Sequence, residues 1–310
     1  MAVNWSAWRP RLLYGAFFLA AFLLALRQTF PVEALKERLI VEAARQGWQL
    51  SAGEAGPAGV VGVGLRDVTL KDREGLSIPM EALDVTLPVG SLLTGRRRAT
   101  VTARLYDGRV QATFDLAAGP RTVDLVAERV DLGQALPLRK AAGVDLEGVL
   151  SGKGQLVLPA DDKGKPTGQV EATVTGLGMA AGKVSVGGMG GLSLPKLSFG
   201  ALAATLKLEG GKGTFEKLSA TGGDAELTAD GLSFTLQPRL EFAPLFGKAT
   251  LKASDAFLAR PEGRTFKPLL DAALGGSQGG AGWSLQVYGS LGHPQLRPGA
   301  PGAAGATPRP

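Results

Sequence analysis

The chain has 310 residues, 45% of them hydrophobic and only 20% charged, which is enough apolar material for a sizeable core in one large or two smaller domains. Its formal net charge of +6 is a local effect: three of the 34 basic residues and no acid fall in the first 32 positions, so the remainder carries 31 basic against 28 acidic residues, a balance that does not describe a nucleic-acid surface. Cysteine is absent, which excludes disulfides, thiolate catalysis and cysteine-ligated metals.

The first element is an apolar run from Leu12 to Leu26, flanked by Arg9, Arg11 and Arg27. As a helix the run spans about 22 Å, short of the roughly 30 Å of bilayer hydrocarbon, whereas an extension from Trp8 to Phe30 reaches about 34 Å. That extension puts Trp5, Trp8 and Phe30 at interfacial depth and lets the arginines snorkel. The sequence therefore predicts a short start and transmembrane anchor over 1–30, with Leu12, Phe17, Phe18, Leu19, Phe22, Leu23, Leu24 and Leu26 as the anchor residues. A cleaved signal peptide is the alternative, with the same basic start and short core. Against it, Leu26-Arg27-Gln28-Thr29-Phe30-Pro31 lacks the small-x-small pair that cleavage needs. Charge does not orient the anchor, because Arg27, Lys36, Arg38 and Arg45 follow it, Arg9 and Arg11 precede it, and the positive-inside rule weakens for long translocated domains.

Residues 31–47 read as an amphipathic helix. Val32, Leu35, Leu39, Ile40 and Ala43 follow the 3.6-residue period, Thr29 is placed to cap the start, and Gly47 to close the last turn. Such a helix either covers one end of a β domain or lies on a membrane surface. From Val60 the period changes to two. Leu83, Val85, Leu87 and Val89 alternate with Asp84, Thr86 and Pro88; Val101, Ala103 and Leu105 do the same, and after Tyr106-Asp107-Gly108-Arg109 the pattern resumes at Val110, Ala112, Phe114 and Leu116. Asp-Gly between two such runs signals a hairpin with a type I′ turn. Further strands are expected at 123–132, 150–158, 170–174, 202–208, 227–236, 245–251 and 285–287. The 45 glycines are about twice the average share; many mark turns, while Gly152 and Gly154 interrupt a strand and bend it. Residues 48–296 thus form a β-rich domain, and 297–310, built of Pro, Gly, Ala and Arg, a disordered tail.

A search for chemistry mostly removes options. His293 is the sole histidine and reads as a solvated turn before Pro294. Gly275-Gly276-Ser277-Gln278-Gly279 matches G-x-S-x-G, but no Asp or Glu separates Ser277 from His293. Ser193-Leu194-Pro195-Lys196 matches S-x-x-K, yet Pro195 interrupts the turn that would bring the lysine to the serine. Asp161-Asp162 lacks the alternating oxygen ligands and distal glutamate of a calcium loop, and no phosphate loop is present. Arg96-Arg97-Arg98 is the one basic cluster, either a solvated strand entrance or a contact for anionic headgroups or an acidic partner. No catalytic residue, cofactor or metal is expected.

The order of the strand-and-turn blocks resembles the N component of bacterial type II secretion systems, and more distantly the AsmA-like envelope proteins. It is carried by Phe30-Pro31 before the helix, Ser91-Leu92-Leu93-Thr94-Gly95, Ala142-Gly143-Val144-Asp145-Leu146-Glu147-Gly148, Leu194-Pro195-Lys196-Leu197-Ser198-Phe199-Gly200, Leu206-Lys207-Leu208-Glu209-Gly210-Gly211-Lys212, Gly222-Gly223-Asp224-Ala225-Glu226-Leu227 and Gly289-Ser290-Leu291-Gly292-His293-Pro294. The resemblance implies a single-pass protein of the bacterial inner membrane with its main domain in the periplasm. It implies a non-catalytic accessory role beside other secretion-system proteins. The AsmA-like relatives imply an elongated, curled antiparallel sheet whose apolar face holds phospholipid; an ordinary sandwich core would give the same pattern. Leu83, Val85, Leu87, Val101, Leu105, Val110, Phe114, Leu206 and Leu208 are the candidates for that groove or core face.

Overall fold

The computed structural model describes residues 29, 31–73, 75–88, 90–91, 98–115, 119–135, 145–160, 164–185, 191–237, 239–274 and 282–299. The expected anchor residues Leu12, Phe17, Phe18, Leu19, Phe22, Leu23, Leu24 and Leu26 lie outside these, and among the described residues no helix is long and apolar enough to cross a membrane. The chain is mainly β and divides into two compact units, Met1–Leu105 with Gln111–Ala118, and Tyr106–Val110 with Gly119–Pro310.

In the first unit α1 (Val32–Arg45) is followed by β1 (Gln49–Ser51), β2 (Glu54–Pro57), β3 (Gly62–Lys71), β4 (Ser77–Thr86) and β5 (Arg98–Leu105). Pro31 occupies the N-cap position and makes no side-chain cap hydrogen bond; a residue without an N–H fits a helix start, where that donor has no intrahelical partner. Gly47 does close the helix. It takes φ +88, and the Gly47 and Trp48 N–H groups donate to the Ala44 and Ala43 carbonyls at 3.0 and 2.8 Å. Val32, Leu35 and Leu39 pack on the buried Val63, Leu65 and Val68 of β3, beside Leu50, Met80, Leu83 and Val85. The helix therefore covers a sheet, the first of its two expected roles. Asp67, with φ +49, drops out of the β3–β4 pairing, and the buried apolar side chains change there from odd positions, Val63 and Leu65, to the even Val68. The alternation expected through Val89 stops as a strand at Thr86: Leu87 still donates to Val61 O at 2.8 Å in the β3–β4 register, but Pro88 has no N–H to continue the ladder.

The hairpin expected at Tyr106 to Arg109 forms between β5 and β6 (Gly108–Asp115), but its left-handed residues are Tyr106 and Asp107, at φ +52 and +55, one position ahead of Asp-Gly. Gly108 already belongs to the strand, where a Cβ would sit 2.6 Å from Val130 Cα.

The second unit continues with β7 (Arg121–Asp131), β8 (Leu146–Leu158), β9 (Thr167–Met179), the small hairpin β10 (Gly182–Ser185) and β11 (Gly191–Leu194), then β12 (Leu197–Glu209), β13 (Lys212–Thr221), β14 (Ala225–Thr235), β15 (Leu245–Ala253), α2 (Asp255–Ala259), α3 (Pro261–Leu274), β16 (Trp283–Gly289) and β17 (Pro294–Pro298). Strand β17 corrects the expected tail, since Arg297 and Pro298 belong to it. Fifteen strands follow the hydrogen-bonded order β1-β3-β4-β5-β6-β7-β8-β9-β12-β13-β14-β15-β16-β17, with β2 beside β3, and each described pairing is antiparallel.

Two helices absent from the sequence reading close one end of this unit. Ser254 caps α2, its hydroxyl accepting from Phe257 N–H at 3.2 Å, and Pro261 opens α3. They lay Phe257, Phe266 and Leu270 on Met179, Leu197 and Trp283, with the two phenylalanine rings edge to face at 6.2 Å and 82°. Trp283 Nε1 donates to Asp271 Oδ1 at 2.9 Å, and Lys267 Nζ to Oδ2 at 2.8 Å. Asp224 in the β13–β14 turn accepts from Ser198 N–H at 3.2 Å and pairs with Arg260 at 3.0 Å. A second core, Leu208, Leu232, Phe234, Ala243 and Leu245, fills the opposite end of β12.

Candidate functional site

Between the two cores, cross-strand register builds one continuous apolar face in the second unit. Val130, Leu150, Val174 and Leu202 align across β7, β8, β9 and β12; the next aligned set is Ala127, Gly152, Ala172 and Ala204; the next is Leu125, Gly154, Val170 and Leu206; and the last is Val123, Leu156, Gly168 and Leu208. Side chains of alternate residues share a face, so the intervening positions form the other side of the sheet. That side is polar. Asp124 accepts from Gln155 at 2.9 Å, Lys153 pairs with Glu171 at 3.3 Å, and Lys207 with Glu209 at 3.0 Å.

The apolar side has a dip in its relief. Ala127, Gly152, Ala172 and Ala204 are small, while Leu150, Val174 and Leu202 stand on one side of them and Val170 and Leu206 on the other. The glycines here serve close approach between strands: a Cβ on Gly152 would lie 2.8 Å from Glu171 O, and one on Gly154 2.8 Å from Val170 Cγ2. At both ends of the face the side chains are buried, as at Met179 and Leu197 under the helices and at Leu208 in the second core. In the middle, Leu125, Ala127, Leu150, Gly152, Gly154, Val170, Ala172, Leu202, Ala204 and Leu206 are all only half-buried. Each such position leaves apolar area in contact with water, at about 25 cal/mol per Å².

A shallow depression of about 410 Å³ at the end of these strands is lined by Gln155, Val157, Thr167, Gln169, Lys207 and Glu209, together with Gly168 and Leu208. The hydrogen bond that its ammonium donates to Glu209, then the charges of Glu209 and Glu216, hold Lys207 above its ordinary pKa.

The residues expected to line a groove are brought together only in part. Leu83 and Val85 belong to the core under α1, with Val101 opposite Val85 across β4–β5. Leu87 follows β4, Leu105 ends β5, and Val110 and Phe114 are half-buried on β6. Leu206 and Leu208 lie on the apolar face of the second unit, where Leu150, Val170, Ala172, Leu202 and Ala204 join them; the expected strands contained these residues, but nothing within one strand revealed the register. Arg98 heads β5 and pairs with Asp115 at 3.9 Å, the solvated strand entrance expected of it. His293 is exposed in the β16–β17 turn, as expected. Ser277, Arg96, Arg97, Asp161 and Asp162 lie outside the described residues. No group of three His, Asp or Glu side chains that could hold a metal occurs among the described residues. Comparison with protein-family models, curated proteins and solved structures returns no match to this chain.

Proposed function

We propose that the protein is a non-catalytic accessory component of the type II protein secretion system, anchored in the bacterial inner membrane by the segment around Leu12 to Leu26 with its β-rich part in the periplasm. Support comes from the order of the resembling blocks and from where they fall. Leu194 to Gly200 leads into β12, Leu206 to Lys212 makes the β12–β13 hairpin, Gly222 to Leu227 the β13–β14 hairpin, and Gly289 to Pro294 the β16–β17 hairpin. Such a protein works by binding other secretion-system proteins through loops, faces or edges. Deleting the gene should impair export of secreted enzymes, and the tagged full chain should pull down secretion-system proteins. Unchanged export together with an empty pull-down would refute this role.

A second reading, a lipid-binding or lipid-transfer protein with an elongated, curled, AsmA-like groove, is favoured by one observation: the half-buried apolar face with its row of small residues between two filled ends. Filling that row with Ala172→Phe and Ala204→Phe separates ligand seat from core. Under the lipid reading, native mass spectrometry of the full wild-type chain finds stoichiometric phospholipid, and the variant loses it while remaining folded. If the row is ordinary core, the wild type carries no lipid and overpacking costs the variant about 1–3 kcal/mol in urea unfolding.

A further inference from the structure

Strand β17 ends the sheet among the described residues, pairing with β16 on one side only. The residues that direct their backbone groups toward β16 are identified by the ladder itself. Gly299 N–H donates to Ser284 O at 2.8 Å, and Ser290 N–H to His293 O at 3.4 Å, while the register runs Gln286 to Arg297 and Tyr288 to Gln295. In an antiparallel pair, hydrogen-bonded positions alternate with positions whose N–H and C=O point away. Gln295 and Arg297 therefore face β16, and positions 294, 296 and 298 face outward. Two of those three are prolines, Pro294 and Pro298. Along five residues the outer edge thus offers a single N–H, that of Leu296. Arg297 adds a cation on the strand, its guanidinium 4.2 Å from the centre of the Tyr288 ring.

We infer that the outer edge of β17 is closed to strand addition, with Pro294 and Pro298 as the blocking residues. An incoming strand would find carbonyls but almost no donors, and prolines and cations on edge strands are the devices by which sheets avoid pairing with other chains. The sheet then stops at β17 because of the chemistry of that strand, whatever sequence follows it. Partners of the protein, including any in a secretion system, must be engaged elsewhere than at this edge.

The test uses the full chain and two readouts. In the wild type, amide hydrogen exchange should be about tenfold or more faster at Leu296 than at Arg297, because only the latter donates to β16. Pro294→Thr/Pro298→Thr restores two outward donors. Raising its concentration roughly tenfold should shift sedimentation toward a two-fold dimer, with the Leu296 amide becoming protected, while the wild type does not shift. Adding Leu296→Pro to that variant should abolish the association. Equal protection of Leu296 and Arg297 in the wild type would overturn the inference, since the edge would already be paired. So would a folded double variant that associates no more than the wild type. If the double variant fails to fold, the wild-type exchange pattern decides alone.

Discussion

Phe257→Ala tests whether α2 and α3 form an integral cover of the sheet. The Phe257 ring is 2% exposed and meets Phe266 edge to face among Met179, Leu197, Leu270 and Trp283. Truncating a buried phenylalanine to alanine costs about 3–5 kcal/mol, of which the lost aromatic pair supplies about 0.5–1.5. Helix α2 has only five residues, too few to persist without tertiary contacts, so the loss should also free the α2–α3 amides to exchange. Against a total stability of about 5–15 kcal/mol, this is a large fraction. Urea unfolding followed by far-UV circular dichroism gives the magnitude, and amide exchange gives its location. Phe246→Ala is the control, since that side chain is 61% exposed and its loss should change stability by no more than about 0.5 kcal/mol. A Phe257→Ala loss under about 1 kcal/mol, or one equal to the control, would refute the packing argument.

Two further substitutions probe other parts of the second unit. A Cβ on Gly213 would lie beneath the Phe234 ring, whose Cζ is 2.3 Å from the ideal position, so Gly213→Ala should destabilise by about 1–3 kcal/mol; pairing it with Phe234→Leu should recover part of the loss, and a strictly additive double mutant would count against the contact. The buried Tyr106 hydroxyl has no hydrogen-bond partner, and its desolvation raises the phenol pKa above 10.0. The folded state then holds this proton more tightly than the unfolded state, so Tyr106 contributes a stability loss as pH rises above the unfolded value. Tyr106→Phe should leave Tm equal or higher at about pH 8 and widen its advantage at about pH 10.5; a gap that does not grow with pH would show that the hydroxyl is not desolvated.

The strands were legible because one side of each is wet: Lys153, Gln155, Gln169 and Glu171 interrupt the apolar residues of β8 and β9 at a period of two. Register was not legible, because aligning Gly152 with Ala172 and Ala204 depends on where neighbouring strands begin. The helices went unread although Ser254 before Asp255-Ala256-Phe257 and Pro261 before Glu262 are start signals. A five-residue helix is too short to show a period, and in the longer one Pro268 argues against a helix although Phe266, Leu270 and Leu274 keep the helical spacing. The turn at Tyr106-Asp107 shows a different limit: Asp-Gly located the hairpin, but the glycine was needed for strand packing against Val130, and the left-handed backbone fell on its neighbours.

In the second unit, β7 to β9 and β12 to β17 lie in the sheet in the order of the chain, with the β10–β11 hairpin between β9 and β12 and the two helices between β15 and β16. Each ladder therefore joins strands that follow one another along the chain or are separated by one short hairpin. Low contact order of this kind favours fast folding and limits the time for which unpaired strands are exposed. A chain so ordered can be laid down from its amino-terminal side as it leaves a ribosome or a translocation channel, each strand docking on the one before it, until the helix pair and the proline-bearing last strand bring growth to an end.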